Sequence, residues 1–216
     1  MTYCDYDKLA STPREREPFN YVVVPDFLKP ETFHSVIADY PEVPGPGSHP
    51  PAELKIGGHF AALMDELNGP IFRKAIEDKF DIDLSGRPTM YTVRGFVREK
   101  DGSIHTDSTT KIITVLLYMN ERWQEDAGRL RLLRGPDDLD DFVAEVPPYG
   151  GTLLAFRRAD NSWHGHKPIS GPRRAIQLNW VTSQEVVDGE QRRHQFSTRL
   201  KKFTRMFTPG SNAPAH

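Results

Sequence analysis

A histidine and an aspartate two residues apart, His105-Thr106-Asp107, combine the types and spacing best suited to chemistry in this chain. They follow Gly102-Ser103-Ile104 and directly precede a β-branched, apolar run. Side chains on extended backbone repeat with a period of two, so the imidazole and the carboxylate leave the same edge and can converge on one cation. A third donor stands far downstream: His164, in Ser162-Trp163-His164-Gly165-His166. Two imidazoles and one carboxylate, with coordination positions left over, suit a divalent iron ion. Taken alone, His105-Thr106-Asp107 fits a solvated turn or an acid–base dyad equally well, so the metal reading needs a fold that brings His164 alongside.

A bound metal also needs a reacting partner. Arg173 and Arg174 lie nine and ten positions past His164, at the start of a strong strand. A guanidinium aimed into an apolar barrel is costly unless an anion meets it, and its planar fork matches a carboxylate. Neighbours on a strand face opposite ways, so at most one of the two points inward. Ala175 shares the face of Arg173 and leaves room, whereas Ile176 and Leu178 share that of Arg174; Arg173 is preferred and Arg174 is the alternative. Tyr91, Thr92, Arg94 and Phe96 precede the histidine motif and Thr114 and Leu116 follow it. Whichever alternate set faces inward flanks a co-substrate, with Tyr91 and Thr114 as candidates for binding it. Lys111 reads either as a cation at the pocket mouth or as a solvated strand end, and His166 as a residue beside the site or a structural histidine.

These residues must be positioned by strands. Thr89 to Val97, Ile112 to Met119, Arg129 to Leu133, Phe142 to Val146, Gly151 to Phe156, Ser162 to His166 and Arg174 to Thr182 read as short strands punctuated by Gly and Pro. Consecutive strands without a long helix between them call for antiparallel sheets, closed or stacked as a sandwich or jelly roll. Ahead of them, Phe19 to Val24 reads as a strand and Pro30 opens a short helix running to about Tyr40. Pro41 to Pro51 is a proline-rich loop, and two amphipathic helices split at Gly69-Pro70 follow, one on Phe60, Leu63, Met64 and Leu67, the other on Ile71, Ala75 and Ile76. Residues 1–18 read as a loose arm. Phe196, Leu200, Phe203 and Phe207 predict a C-terminal amphipathic helix over about 190–207, basic on its other faces and docked on the core or across a dimer seam.

At 216 residues the chain fits one domain: a helical part over about 19–86, a jelly-roll core over about 88–182, and the terminal helix. A net charge of -2 argues against nucleic acid as a partner. No apolar run reaches the length of a membrane helix and the first residues lack the pattern of a secretion signal, so a cytoplasmic monomer or homodimer without a membrane partner is expected. Cys4, the single cysteine, excludes an internal disulfide and a thiolate metal cluster.

From Tyr91 to Trp180 the sequence resembles the Fe(II) and 2-oxoglutarate-dependent dioxygenases, particularly the branch related to prolyl hydroxylases. The resemblance rests on five segments in the family's order: His105-Thr106-Asp107; Thr114-Val115-Leu116-Leu117-Tyr118-Met119-Asn120; Gly128-Arg129-Leu130; Pro148 through Phe156; and His164-Gly165-His166-Lys167-Pro168 leading to Arg173-Arg174-Ala175-Ile176. It implies a double-stranded β-helix of the jelly-roll, cupin-like type. It further implies iron held by His105, Asp107 and His164, and the far carboxylate of 2-oxoglutarate held by Arg173. Oxidative decarboxylation of 2-oxoglutarate by O2 is then coupled to hydroxylation of an unactivated C–H bond, with ascorbate as a stimulant. The carboxylate at Asp107 favours hydroxylation over halogenation, because halogenating relatives place a small residue there. A small polar or natural-product substrate is expected, since no peptide-binding module is evident. The alternatives are a prolyl hydroxylase-like enzyme acting on a protein residue, a cupin-like metal dioxygenase that does not use 2-oxoglutarate, and a non-catalytic jelly-roll binding protein.

Overall fold

The computed structural model describes residues 1–190 and Arg192. Most of the expected C-terminal helix over 190–207 lies outside the described residues. The chain runs α1 (Tyr6–Ser11), β1 (Tyr21–Val24), α2 (Pro30–Ala38), α3 (Gly58–Leu67), α4 (Pro70–Phe80), β2 (Thr89–Val97), β3 (Lys111–Tyr118), β4 (Leu130–Leu133), β5 (Phe142–Val146), β6 (Leu153–Arg157), β7 (His164–Gly165) and β8 (Gly171–Val181). The strands form a five-stranded sheet in the order β1-β6-β3-β8-β2 and a three-stranded sheet in the order β5-β4-β7. Every ladder is antiparallel. The two sheets face one another in the expected jelly-roll manner, without closing into one continuous barrel.

The larger sheet is buried on both faces, and the alternation of its strands divides the work. Val93, Val115, Leu117, Ile176, Leu178 and Trp180 face the helices, where Phe60, Leu63, Phe72 and Ile76 complete the main core. Trp180 is therefore core, its ring stacked on Phe72 with centroids 6.0 Å apart. The opposite face carries Tyr21, Tyr118, Leu154, Phe156 and Ala175 against Leu130, Leu132 and Val146 of the smaller sheet. Helices α2 and α4 each begin on a proline, which lacks the amide hydrogen that the first helical turn leaves unused. The buried stripe of α4 is Phe72, Ile76 and Phe80, and Ile71, expected to be part of it, is exposed.

Residues 1–18 are not a loose arm. Asp5 caps α1 by accepting from the Lys8 amide at 2.9 Å, and Tyr3, Cys4 and Leu9 are buried. The Glu66 carboxylate accepts the amides of Tyr3 at 2.8 Å and Cys4 at 3.2 Å, tying this segment to α3. Its few apolar residues are spread among charges, so no local pattern marks it as packed.

One crossing matters most for the site. The segment Gly102–His105 runs antiparallel to His164–His166, with His105 and His164 exchanging both backbone hydrogen bonds at 3.0 Å and the His166 amide donating to the Gly102 carbonyl at 3.0 Å. Glycine permits the close approach: a Cβ on Gly102 would come within 2.5 Å of both the carbonyl oxygen and Nδ1 of His166. A Cβ on Gly165 would lie 2.9 Å from the Gly102 carbonyl oxygen. Gly102→Ala is accordingly expected to force the two segments apart, costing about 1–3 kcal/mol of stability and weakening binding of a divalent metal. Urea unfolding and metal titration check this; a variant matching the parent in both would contradict the crossing.

Candidate metal centre

The crossing places His105 and His164 side by side, with ring centroids 4.4 Å apart. Asp107, two residues on, turns its carboxylate toward them. One ligand atom from each of His105, Asp107 and His164 lies within 4.8 Å of the others. Both imidazoles are oriented in the same way: His105 Nδ1 is 2.9 Å from the Ser103 carbonyl and His164 Nδ1 is 2.9 Å from the Ser162 carbonyl. A carbonyl can only accept, so each Nδ1 is assigned the proton and each Nε2 keeps its lone pair for a cation. Burial pushes the His164 pKa down to about 4, against a partial pull upward from Asp107, so this ring is neutral at physiological pH. Burial alone would raise the Asp107 pKa, but Lys111, His164 and Thr114 outweigh it and hold the carboxyl below its ordinary value. The set is thus two imidazoles and a carboxylate, which fits a single divalent ion such as Fe(II).

Thr114 is brought to the centre in a supporting position. Its hydroxyl donates to Asp107 Oδ2 at 2.5 Å and lies 3.0 Å from Asn179 Oδ1, while Lys111 Nζ donates to Asp107 Oδ1 at 2.7 Å. Of the two arginines, Arg173 is buried and Arg174 exposed. Arg173 Nε donates to the Gly128 carbonyl at 2.9 Å and Nη2 to the Tyr118 hydroxyl at 3.2 Å, on the face shared with Ala175. Arg174 turns the other way, its guanidinium carbon 5.2 Å from the centroid of the Tyr40 ring, which removes it as a candidate for binding a co-substrate inside the fold. Tyr91 lines the cleft described below and is half-buried. It pairs in register with Leu178 and packs on the helix-side core, out of step with Thr92 and Arg94, whose partners Gln177 and Ala175 share the face of Arg173.

Tyr118 is the functional candidate not singled out from sequence, although continuing the alternation from Thr114 through Leu116 reaches it. Beside the centre, Thr92, Arg94, Lys111, Gln177 and Asn179 line a cleft of about 480 Å³. Pro50 and Pro51 of the proline-rich loop close one side of it, and His49 pins that loop to β2 through two backbone hydrogen bonds with Val93.

His166 is buried as well, and desolvation with Arg173 nearby pushes its pKa down to about 4. For a histidine with a depressed folded pKa, the unfolded chain takes up the proton first as the pH falls, so stability is lost below the unfolded value. The metal-free protein should lose stability from about pH 6.5 down to about pH 4, by at most ~3 kcal/mol per histidine. Urea midpoints against pH measure this, and His166→Gln should flatten the slope; a constant midpoint across that window would count against both buried rings.

Residues 90–182 match the family described as the 2OG-Fe(II) oxygenase superfamily, a span that contains the metal-centre residues and Arg173. No curated protein matches the chain at a significant level. Among solved structures, a prolyl 4-hydroxylase from Phytophthora capsici aligns with a TM-score of 0.54 at 17% identity, covering 87% of this chain and 68% of that one. A prolyl hydroxylase from Trichoplax adhaerens, solved with a peptide fragment of the hypoxia-inducible factor oxygen degradation domain, aligns with a TM-score of 0.50 at 15% identity, covering 82% and 86%. At that identity the likeness is one of fold. The family match lies over strands that bring two histidines and an aspartate together, so residues 90–182 are similar to a 2OG-Fe(II) oxygenase domain and share the fold of the prolyl hydroxylases.

Proposed function

We propose that the protein hydroxylates an unactivated C–H bond of a small polar molecule, with His105, Asp107 and His164 holding Fe(II) and Arg173 binding the distal carboxylate of 2-oxoglutarate. The observation that carries this reading is the buried guanidinium of Arg173, fixed by Tyr118 and Gly128 on the same sheet face as the carboxylate support Thr114. Bound iron supplies the activation of O2 that couples decarboxylation of 2-oxoglutarate to oxidation of the substrate. The chain's own residues do the rest. Lys111 and Thr114 each hold one oxygen of Asp107, so its carboxylate is oriented before metal arrives. Phe156 packs against His164 with centroids 5.0 Å apart, keeping water from one side of the centre. Tyr118 and Gly128 set the direction of Arg173, which therefore meets a carboxylate without reorganising.

The cleft of about 480 Å³ supports a small substrate, being of the size that encloses metabolites. A peptide side chain is the second reading, favoured by the fold shared with the peptide-bound Trichoplax enzyme. Uncoupled or coupled succinate formation with polar metabolites and with proline-containing peptides separates the two.

Anaerobic addition of Fe(II) and 2-oxoglutarate should produce the weak visible charge-transfer band of the chelate. Arg173→Gln should raise the 2-oxoglutarate midpoint about a hundredfold, the loss of a charge-assisted bidentate contact, while Arg174→Gln leaves it unchanged; the reverse pattern would overturn the assignment. Asp107→Ala should abolish succinate formation and keep the circular dichroism of the parent. Turnover surviving in Asp107→Ala would refute the ligand set.

A further inference from the structure

The face of the sheet that carries Arg173 holds a second cation, Arg94. In register Arg94 lies opposite Ala175 on β8, and Ala175 lies opposite Tyr118 on β3, so Arg94 and Tyr118 flank the same small residue from either side. The Arg94 Nε is sealed from solvent, and it has no hydrogen-bond partner among the described residues. A desolvated guanidinium without an anion is unfavourable, and proteins rarely retain one that serves packing alone. Arg131 of this same chain shows what a structural arginine looks like: its Nε donates to Glu145 at 2.6 Å and its Nη1 pairs with Asp140.

Two carboxylates nearby, Asp101 and Asp107, are already committed. Asp101 is gripped by Arg98 through its side chain at 2.9 Å and its backbone amide at 2.9 Å. Asp107 is held by Lys111 and Thr114 and belongs to the metal centre. Arg94 is held rigidly as well. Its carbonyl accepts the Tyr40 hydroxyl at 2.6 Å, and the ladder with β8 shifts register between Arg94 and Phe96, a bulge that re-aims side chains. The intervening Gly95 packs so closely on Val43 that a Cβ there would lie 2.7 Å from the Val43 Cβ.

Arg94 stands close enough to Arg173 for the two charges to repel, yet it alone of the two reaches the cleft. The cleft is lined by Arg94, Lys111, Asn179 and Gln177, with Glu190 also in its wall, and its lining includes neither Arg173 nor the histidines of the metal centre. 2-Oxoglutarate has two carboxylates; on the oxygenase reading one is taken by the metal and the other by Arg173. Arg94 is a further cation, in the wall of the cleft.

We propose that Arg94 anchors an oxyanion subsite for the primary substrate, a small molecule that docks a carboxylate or a phosphate on this guanidinium from the cleft while 2-oxoglutarate occupies Arg173. This deepens the function proposed above and rests on it. Arg94 selects and orients the substrate, and the C–H bond to be oxidised lies on the part of the molecule that extends from the anchored anion toward His105 and Asp107.

The test uses the full-length protein loaded anaerobically with Fe(II) and 2-oxoglutarate, at constant ionic strength. Melting temperature is followed against inorganic phosphate and, separately, acetate, and the charge-transfer band is followed against 2-oxoglutarate. The parent should show saturable stabilisation by at least one anion, and the stronger of the two identifies the group. Arg94→Gln should weaken that response about tenfold, Arg94→Lys should recover part of it, and the 2-oxoglutarate midpoint should stay put in both. A parent that responds to neither anion, or a response equal in Arg94→Gln, would overturn the subsite. A 2-oxoglutarate midpoint displaced in Arg94→Gln as far as in Arg173→Gln would assign Arg94 to the co-substrate and equally overturn it. Absence of the band in a parent whose anion response still depends on Arg94 would reject the oxygenase reading and keep the subsite.

Discussion

The backbone contact between Gly102–His105 and His164–His166 is the constraint on which the rest of the centre depends. Fifty-eight residues lie between the two histidines, and loop closure over that length is made good by reciprocal amide–carbonyl bonds between His105 and His164. The contact does more than bring two rings together. Each imidazole is turned by a carbonyl two residues before it, so the same local geometry is used twice and both Nε2 atoms emerge toward Asp107. Glycine at 102 and 165 is then a requirement of distance rather than of backbone angle, because any side chain at either position would stand where the other strand runs.

Around this contact the electrostatics are arranged in pairs with distinct purposes. Lys111 and Thr114 stabilise the Asp107 carboxylate against its own burial, while burial of His164 keeps that ring uncharged. Arg173 and Tyr118 form a second pair one strand over, and burial raises the Tyr118 pKa against the pull of Arg173 and Arg94, so the phenol stays protonated beside the guanidinium. Opposite charge near the metal and positive charge deeper in the fold give the centre a polarity that matches a molecule carrying a chelating acid at one end and a free carboxylate at the other.

Much of this was legible in the residues, and the failures have a common cause. Alternation along a strand identified His105 with Asp107 as partners and separated Arg173 from Arg174, since Ala175 and Ile176 differ enough in size to mark the two faces. The same reasoning could not orient Thr89–Val97 or Ile112–Met119. Both strands lie in a sheet covered by helices on one side and by a second sheet on the other, so apolar residues occur on both faces and no alternation remains to be read. Tyr118 is consequently not distinguished from its neighbours, and Tyr91 packs against the helix-side core while also lining the cleft. The buried N-terminal segment escaped for a different reason: Tyr3, Cys4 and Leu9 are held by the Glu66 carboxylate and by long-range packing, neither of which leaves a periodic trace.

The two-faced sheet has a consequence for how such a protein changes over time. Val93, Ile176 and Leu178 anchor the fold, and Thr92, Arg94, Ala175 and Gln177, their immediate neighbours in the chain, line or back the pocket. Inheritance of shape and inheritance of preference are thus interleaved residue by residue on the same strands, yet physically screened from each other by the thickness of one sheet. A lineage can exchange what it oxidises by substitutions at every second position, with the helix-side scaffold left as it was.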